Sequence, residues 1–225
     1  MEPASTVRID ADAALWSTGH EERQDRPLLV LLHGYGADEN DLFGLVPFLP
    51  DAFTIAAPRA PLAPPWPAPG FSWYPIEDVV DVDLAGRDPA RVTSAAAAVL
   101  EWLDAAAPDV TRVGLVGFSQ GASVALQALR LAPTRFAFAV NLSGYAAPGA
   151  LVGDEELAAR SIPVFWGRGD RDDVIPPALV AHTTQWLPAH SDLSGRVYPG
   201  LTHSVSDEEL ADVRVFLDKQ LVAAD

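Results

Sequence analysis

The sequence GFSQG at 117–121 has the G-x-S-x-G pattern in which a serine serves as a nucleophile. Residues 112–118 form a short apolar run typical of a buried parallel strand, and the Ala- and Leu-rich residues 123–131 are typical of a helix that ends before Pro133. A sharp turn between strand and helix lifts the hydroxyl out at the carboxyl edge of a sheet. Ser119 is therefore the candidate nucleophile, with a glycine-flanked serine in an ordinary turn as the alternative.

A serine hydroxyl needs a base and an orienting acid, because imidazole must remove its proton and a carboxylate must hold the imidazole in the right tautomer. The apolar run at 162–166 is followed by a loop with three candidate acids, and His203 lies in a loop before the last helix. The candidate acids are Asp170, Asp172 and Asp173. The order Ser, Asp, His along the chain is that of the α/β hydrolases. A metal site built from the three aspartates and His203 is a weak alternative, since no known ligand spacing fits.

A second glycine-rich loop follows another predicted buried strand. Residues 28–32 are an unbroken aliphatic run, and HGYGADEND at 33–41 comes directly after it. In hydrolases with the G-x-S-x-G turn, a backbone N–H of this early loop helps to bind the oxyanion, and we assign that donor to Tyr35. The glycines could instead provide only loop flexibility. His33 is predicted to be a hydrogen-bonded structural histidine.

The proline-rich residues 58–78 show neither helical nor strand periodicity, which predicts a long, stiff loop. Loops of this length in compact domains are usually functional. Four of its aromatic side chains are candidates to line an apolar cleft beside the serine, or alternatively only to pin the loop to the protein body. They are Trp66, Phe71, Trp73 and Tyr74. Between residues 77 and 88 every charged side chain is acidic except Arg87. This pattern predicts a solvated loop, which would repel anionic substrates if it flanks the cleft.

The remaining patterns predict strands alternating with helices, hence a mostly parallel sheet with helices on both faces. Residues 5–10 are a possible first edge strand. Asp88 and Pro89 start a helix as N-cap and first helical residue. The last helix begins with a predicted capping box of Ser206 and Glu209. The stripes predicted to face the core are Val92, Ala96, Val99 and Leu103 on the first of these helices, and Leu210, Val213, Leu217 and Leu221 on the last.

The length, net charge and cysteine content of the chain exclude several classes of partner and chemistry. The chain has 225 residues, which favours a single domain over 1–225, and 49% hydrophobic residues, as in ordinary globular proteins. A net charge of −16 argues against nucleic acid and anionic membrane surfaces as partners. With no cysteine, disulfides and thiolate chemistry are excluded. No apolar run approaches the length of a membrane span, and the first residues show no basic segment followed by an apolar core, so we expect a cytoplasmic protein without integral membrane association.

Four motifs in order resemble the phospholipase/carboxylesterase family of α/β hydrolases, small esterases that include acyl-protein thioesterases and lysophospholipases. The motifs are LLHGYGADENDL, GLVGFSQGASVAL, GRGDRDDVIP and YPGLTHSVSDEELADVRVFLDKQL. The resemblance implies that Asp172 is the acid, that His203 is the base, and that the backbone N–H of Gln120 is the second oxyanion donor. It also implies that Trp73 and Tyr74 belong to the substrate groove. Arg168 stands where the family usually has histidine, which puts only local loop packing in question.

The function expected from these residues is hydrolysis of a small carboxylic ester or thioester through an acyl-enzyme, with no metal or cofactor. A peptidase or lactonase on the same fold is an alternative, because fold and catalytic residues do not choose the leaving group. A non-catalytic ligand-binding homologue is another. Acyl chain length and oligomeric state, including a possible homodimer, stay open.

Overall fold

A computed structural model describes residues 8–19, 23, 26–65, 67–76 and 87–222. Over these residues the chain forms a seven-stranded sheet in the order β1-β3-β2-β4-β5-β6-β7. Every neighbouring pair is parallel except β1 with β3. The strands are β1 Leu15–Trp16, β2 Leu28–Leu32, β3 Thr54–Ala57, β4 Val113–Phe118, β5 Phe138–Leu142, β6 Pro163–Gly169 and β7 Asp192–Tyr198. The predicted α/β fold with a mostly parallel sheet is confirmed.

Helices cover both faces of this sheet. They are α1 Glu39–Phe43, α2 Pro89–Ala106, α3 Gln120–Leu131, α4 Asp154–Arg160, α5 Pro177–His190 and α6 Asp207–Val222, with 3₁₀ turns at Ala11–Ala13 and Val46–Phe48. Alternate residues of β2 point to opposite faces, so Val30 packs in a cluster with α2 and α3, whereas Leu31 packs in a second cluster with α1 and α6. The uninterrupted apolar run of β2 follows from this burial on both sides.

The helix that precedes β4 begins as its sequence predicts. The Asp88 side chain accepts a hydrogen bond from the Ala90 N–H at 2.9 Å, and Pro89 occupies the first turn, where its missing N–H costs nothing. The predicted apolar stripe of α2 is buried. On α6, Val213 and Leu217 are buried. The predicted Leu210 and Leu221 of α6 are only partly covered.

The predicted edge strand at residues 5–10 is wrong where it can be checked. Residues 5–7 lie outside the described part of the chain, and residues 8–10 are not in a strand. The edge strand is Leu15–Trp16, paired antiparallel with β3. Leu15 and Trp16 supply apolar side chains, and Trp16 packs against Trp102 with ring centroids 6.1 Å apart. Arg8 and Asp10 are charged and cannot supply apolar side chains to the core in the same manner.

No helix in the described ranges is both long and apolar enough to cross a membrane.

Candidate active site

Ser119 lies at the turn between β4 and α3 and has φ 53° and ψ −114°, a backbone conformation that a non-glycine residue seldom adopts. The turn is held by two hydrogen bonds, from the Ser119 N–H to the Leu142 carbonyl at 2.8 Å and from the Ser123 N–H to the Ser119 carbonyl at 3.2 Å. Strain of this kind persists where the surrounding structure enforces it, often at functional sites. The turn therefore holds the hydroxyl of Ser119 at the carboxyl end of β4.

The two flanking glycines make the turn sterically possible. A Cβ at position 117 would lie 2.5 Å from the backbone N of Ala122, well inside contact distance. A Cβ at position 121 would collide with the carbonyl oxygen of Leu32. Both neighbours are backbone atoms that cannot move aside. Glycine at 117 is therefore needed for β4 to approach α3 this closely, and glycine at 121 for α3 to approach the end of β2.

His203 links the serine to an acid. Its Nε2 lies 2.8 Å from the Ser119 Oγ, and its Nδ1 lies 2.8 Å from Oδ2 of Asp172. The other carboxylate oxygen of Asp172 accepts hydrogen bonds from the backbone N–H groups of Val174 at 3.0 Å and Ile175 at 3.2 Å. These two bonds fix the carboxylate, so it can accept a hydrogen bond from Nδ1–H and leave Nε2 free to accept the serine proton.

The other two candidate acids lie elsewhere. Oδ1 of Asp170 accepts a hydrogen bond from the Gly200 N–H at 2.6 Å, which ties its own loop to the turn after β7. Asp173 is exposed. Within the part of the chain that the structure describes, no three His, Asp or Glu side chains converge so that they could hold a metal ion.

A cavity of about 190 Å³ lies next to Ser119 and His203. Gly34, Tyr35 and Gln120 also line it. A Cβ at position 34 would lie 3.7 Å from the Ser119 Cβ, so the loop after β2 passes directly beside the nucleophile. Among the hydrogen bonds of the described residues, neither the Tyr35 N–H nor the Gln120 N–H donates to a protein acceptor. Two backbone donors beside the hydroxyl are the arrangement that binds a tetrahedral oxyanion.

His33, the first residue of that loop, is buried and has two partners. Its Nδ1 donates to the Gly34 carbonyl at 2.8 Å, and its Nε2 accepts from the Ala60 N–H at 3.1 Å. Because a backbone N–H can only donate, the ring proton must be on Nδ1. Burial lowers the pKa of His33, which keeps the ring neutral. The prediction of a structural histidine is confirmed.

Of the aromatic residues described in the proline-rich loop, one lines the cavity beside Ser119 and two do not. Tyr74 lines the cavity, and its hydroxyl lies 2.6 Å from that of Tyr145. Trp73 is 1% exposed and donates its indole N–H to the His33 carbonyl at 2.8 Å. Phe71 lies under the Arg59 guanidinium, 4.7 Å from ring centroid to Cζ. Phe71 and Trp73 are not in the wall of this cavity and pack against the core instead, as in the alternative that these aromatic residues pin the loop to the protein body. Trp66 lies outside the described residues.

The Gln120 side chain connects that loop to the serine turn, which the sequence analysis missed. Its Oε1 accepts from the Trp73 N–H at 2.8 Å, and its Nε2 donates to the Tyr74 carbonyl at 2.7 Å. Six further side chains complete the cavity wall, and no sequence pattern assigned them to it. They are Ile76, Arg87, Phe118, Tyr145, Val174 and Ile175. The position of Tyr145 just after β5, which neighbours β4 in the sheet, was the one usable signal.

Comparison with known proteins identifies the family to which the chain is similar. The model of a family described as Phospholipase/Carboxylesterase matches residues 17–221. The chain is 25% identical to acyl-protein thioesterase 1 of Yarrowia lipolytica over 98% of this chain and 99% of that protein. It is 34% identical to acyl-protein thioesterase 1 of Saccharomyces cerevisiae, over a stretch that spans 47% of this chain and 48% of that protein.

Solved structures show the same fold. The crystal structure of esterase PE8 superposes with a TM-score of 0.76 at 27% identity, covering 95% of this chain and 99% of that one. Acyl-protein thioesterase 2 of Zea mays superposes with a TM-score of 0.71 at 25% identity, covering 92% and 98%.

Proposed function

The chain belongs to the phospholipase/carboxylesterase family, and from this membership and the site geometry we propose that it is a serine hydrolase of carboxylic esters or thioesters. The observation that carries the proposal is the continuous hydrogen-bonded line from Asp172 through His203 to Ser119, with both links at 2.8 Å. Relatives named acyl-protein thioesterase and carboxylesterase support the same class of substrate. The proposed substrate is therefore a small-molecule or protein-borne acyl ester or thioester.

In the proposed reaction Ser119 Oγ attacks the carbonyl carbon while His203 Nε2 takes the hydroxyl proton. The positive charge that develops on the imidazole is stabilised by the carboxylate of Asp172, which stays ionised. Collapse of the tetrahedral intermediate breaks the bond to the leaving group, and His203 returns the proton to that oxygen or sulfur. Water then attacks the acyl-enzyme by the same route, with His203 again as general base, and releases the acid.

The negative charge of each tetrahedral intermediate falls on the former carbonyl oxygen. The backbone N–H groups of Tyr35 and Gln120 are the proposed donors to it, supported by their place in the cavity wall beside Ser119. Gln120 is also the first residue of α3, so its N–H lies at the positive end of the helix dipole. Donors of this kind contribute roughly 3 to 4 kcal/mol each to transition-state stabilisation.

We also propose that the chain works as a single domain. Strands from Leu15–Trp16 to Asp192–Tyr198 lie in one sheet, and the core cluster on one of its faces joins residues of α1 with residues of α6. The three catalytic candidates follow three different strands of that sheet. Their spacing therefore depends on the whole sheet.

Labelling with a fluorophosphonate tests the proposal. The intact protein should gain the mass of one phosphonyl group on Ser119, and the Ser119→Ala variant should gain none. Ser94→Ala is the matched control, because Ser94 is an exposed serine on α2 whose hydroxyl bonds only to the Ala90 carbonyl in the described structure. A folded protein that neither labels nor hydrolyses p-nitrophenyl butyrate would refute the proposed activity.

A further inference from the structure

The sheet ends in a long edge strand. β7 is the last strand in the sheet order and has seven residues, whereas β1 at the opposite edge has two. Its pairing with β6 is uninterrupted from Asp192 to Tyr198, so no bulge bends it away, and it contains no proline. Proteins usually protect an exposed edge by one of these devices, because its free backbone groups can pair with another strand. The edge at β7 is therefore open to such pairing.

The hydrogen bonds at the two ends of β7 show which of its backbone groups face β6. The Asp192 N–H donates to the Ile162 carbonyl at 3.1 Å, and the Tyr198 carbonyl accepts from the Asp170 N–H at 3.2 Å. Successive residues of a strand direct their N–H and C=O groups to opposite sides. The even-numbered residues of β7 therefore bond to β6, and the odd-numbered residues direct their backbone groups away from the sheet.

The outward groups belong to Leu193, Gly195 and Val197. None of their N–H groups has an acceptor among the described residues. Gly195 and Val197 are exposed, so the described helices do not cover this edge. One outward carbonyl has a partner, because Nη1 of Arg196 donates to the Gly195 carbonyl at 2.9 Å. That contact is exposed and made by a flexible side chain, so a backbone N–H can replace it.

A second β7 that runs antiparallel matches this edge when Gly195 lies opposite the partner's Gly195. Leu193 then lies opposite the partner's Val197, and every outward residue falls in a hydrogen-bonded pair that exchanges two N–H···O bonds. A shift of one residue would set outward groups of one copy against inward groups of the other. A shift of two would place one outward residue opposite a residue outside β7. The centred register is therefore the one that uses the whole edge.

The side chains of β7 fit the same register on both faces of the sheet. On one face Val197 is 52% exposed, and the partner's Leu193, whose own side chain packs against the core, would cover it. On the other face Asp192 and Arg196 are exposed and carry opposite charges. The register places Asp192 diagonal to the partner's Arg196, roughly 7 to 8 Å away, which long side chains can span. Arg196 lies on the side of α6, since its Nε is 3.7 Å from Oδ2 of Asp212.

We propose that the chain forms a two-fold symmetric homodimer in which the β7 strands pair antiparallel about Gly195 and make one sheet that is continuous across both copies. The same edge supplies both members of every pair, which favours a second copy of this chain over an unrelated strand. The proposal is independent of the hydrolase function, because the Ser119, His203 and Asp172 side chains of one copy already lie together.

Sedimentation equilibrium tests the dimer. Physiological salt screens the repulsion between two copies that each have a net charge of −16. The average mass of the intact protein should rise from that of a monomer to that of a dimer between micromolar and near-millimolar concentrations. Val197→Lys places a charge in the interface, and Val197→Pro removes an outward N–H without removing a bond to β6. Each change should raise the dissociation constant at least about ten-fold.

Val152→Lys is the matched control, because Val152 is exposed in the turn before α4 and lies outside β7. It should keep the dissociation constant of the intact protein. Circular dichroism and thermal unfolding establish that each variant is folded. An intact protein that stays monomeric over the whole range would overturn the proposal, as would folded Val197 variants that associate as tightly as the intact protein.

A single introduced cysteine tests the register, because the chain has none of its own. In the proposed dimer the two residues at position 195 form a hydrogen-bonded pair with Cα atoms about 5.5 Å apart. An added Cβ there meets nothing nearer than the Leu193 side chain at 3.8 Å, so Gly195→Cys should fold normally. Dibromobimane, which joins only thiols a few ångströms apart, should cross-link two Gly195→Cys chains and should not cross-link Val152→Cys chains. A dimer of Gly195→Cys that gives no cross-link would refute pairing about Gly195.

Discussion

Nδ1 of His203 lies 2.8 Å from Oδ2 of Asp172, while Oδ1 of the same carboxylate is held by the N–H groups of Val174 and Ile175. The acid is thus anchored by the backbone of its own loop and presents one oxygen to the imidazole. Asp173, the next residue, is exposed and makes no such contact. This difference between two adjacent aspartates leads to the first prediction.

Replacing Asp172 by Asn should lower kcat for p-nitrophenyl butyrate by about ten-thousand-fold, the loss seen when a triad aspartate of a serine protease is changed in this way. The amide leaves the geometry in place but can present its N–H₂ group to Nδ1, which favours the wrong imidazole tautomer. Asp173→Asn is the matched change and should leave kcat within about two-fold. Equal losses in the two variants would contradict the assignment of the acid.

Replacing Gln120 by Ala should destabilise the protein by about 2 kcal/mol, because the buried N–H of Trp73 and carbonyl of Tyr74 lose their partners. The proposed oxyanion donor at this position is a backbone group and persists in the variant. Urea unfolding measures the stability, and the KM of a short ester reports any movement of Tyr74 in the cavity wall.

Two further variants sharpen that experiment. Gln120→Glu keeps an acceptor for the Trp73 N–H but cannot donate to the Tyr74 carbonyl as a carboxylate, so we expect a loss of stability near neutral pH. Gln185→Ala removes an exposed glutamine from α5 and should change stability by less than about 0.5 kcal/mol. If Gln120→Ala were as stable as Gln185→Ala, the proposal that the Gln120 side chain stabilises the loop through its hydrogen bonds to Trp73 and Tyr74 would be refuted.

Replacing Gly117 by Ala should lower the free energy of unfolding by about 1 to 3 kcal/mol, since the added Cβ meets backbone atoms of Ala122 at 2.5 Å. The same change should lower kcat, because any shift of β4 against α3 moves Ser119. At Gly195 in β7 the nearest atom to an added Cβ is 3.8 Å away, in the Leu193 side chain. Gly195→Ala should therefore be neutral or slightly stabilising. Thermal unfolding of both variants and of the intact protein measures the difference in stability.

The predicted capping box at the start of α6 is only half formed, and the unpaired half leads to a prediction about pH. Ser206 Oγ accepts the Glu209 N–H at 3.1 Å, but the Glu209 carboxyl does not reach back and is buried with both oxygens unpaired among the described residues. It packs against β6 where only a glycine, Gly167, leaves room. Burial raises the pKa of Glu209 to about 7.

Because this pKa is higher in the folded protein than the ordinary value of 4.5, the folded state holds the proton more tightly than the unfolded state. The Glu209 contribution to stability is therefore fully favourable below about pH 4.5 and is lost as pH rises through 7. The difference corresponds to up to about 3 kcal/mol. Glu209→Gln should raise the free energy of unfolding relative to the intact protein at pH 8, with little gain at pH 4.5. A gain that does not depend on pH would refute this account.

Local sequence patterns were sufficient to predict the strand, the turn and the helix around Ser119. The apolar run, the glycines and the helix formers all lie between residues 112 and 133, and the turn needs nothing from elsewhere to be recognised. The same holds for the start of α2, where Asp88 and Pro89 act within one turn. The edge strand failed because pairing with β3 depends on which side chains cover the core, and that information is not local.

The sequence by itself indicated the alternation of strands and helices, apart from the first edge strand, as well as the sharp serine turn and each motif of the family, because each of these features is carried by residues close together in the chain. The residue pattern left three candidate aspartates, among which the family resemblance implied Asp172, and the tertiary structure brings that carboxylate to His203. Only the tertiary structure decided which aromatic residues face the cavity and that Arg87 lines it. His203 and Ser119 are 84 positions apart, and Asp172 is 31 positions from His203. Contacts over such separations are set by the packing of strands and loops, in which a shift of one residue changes which side chain faces the site.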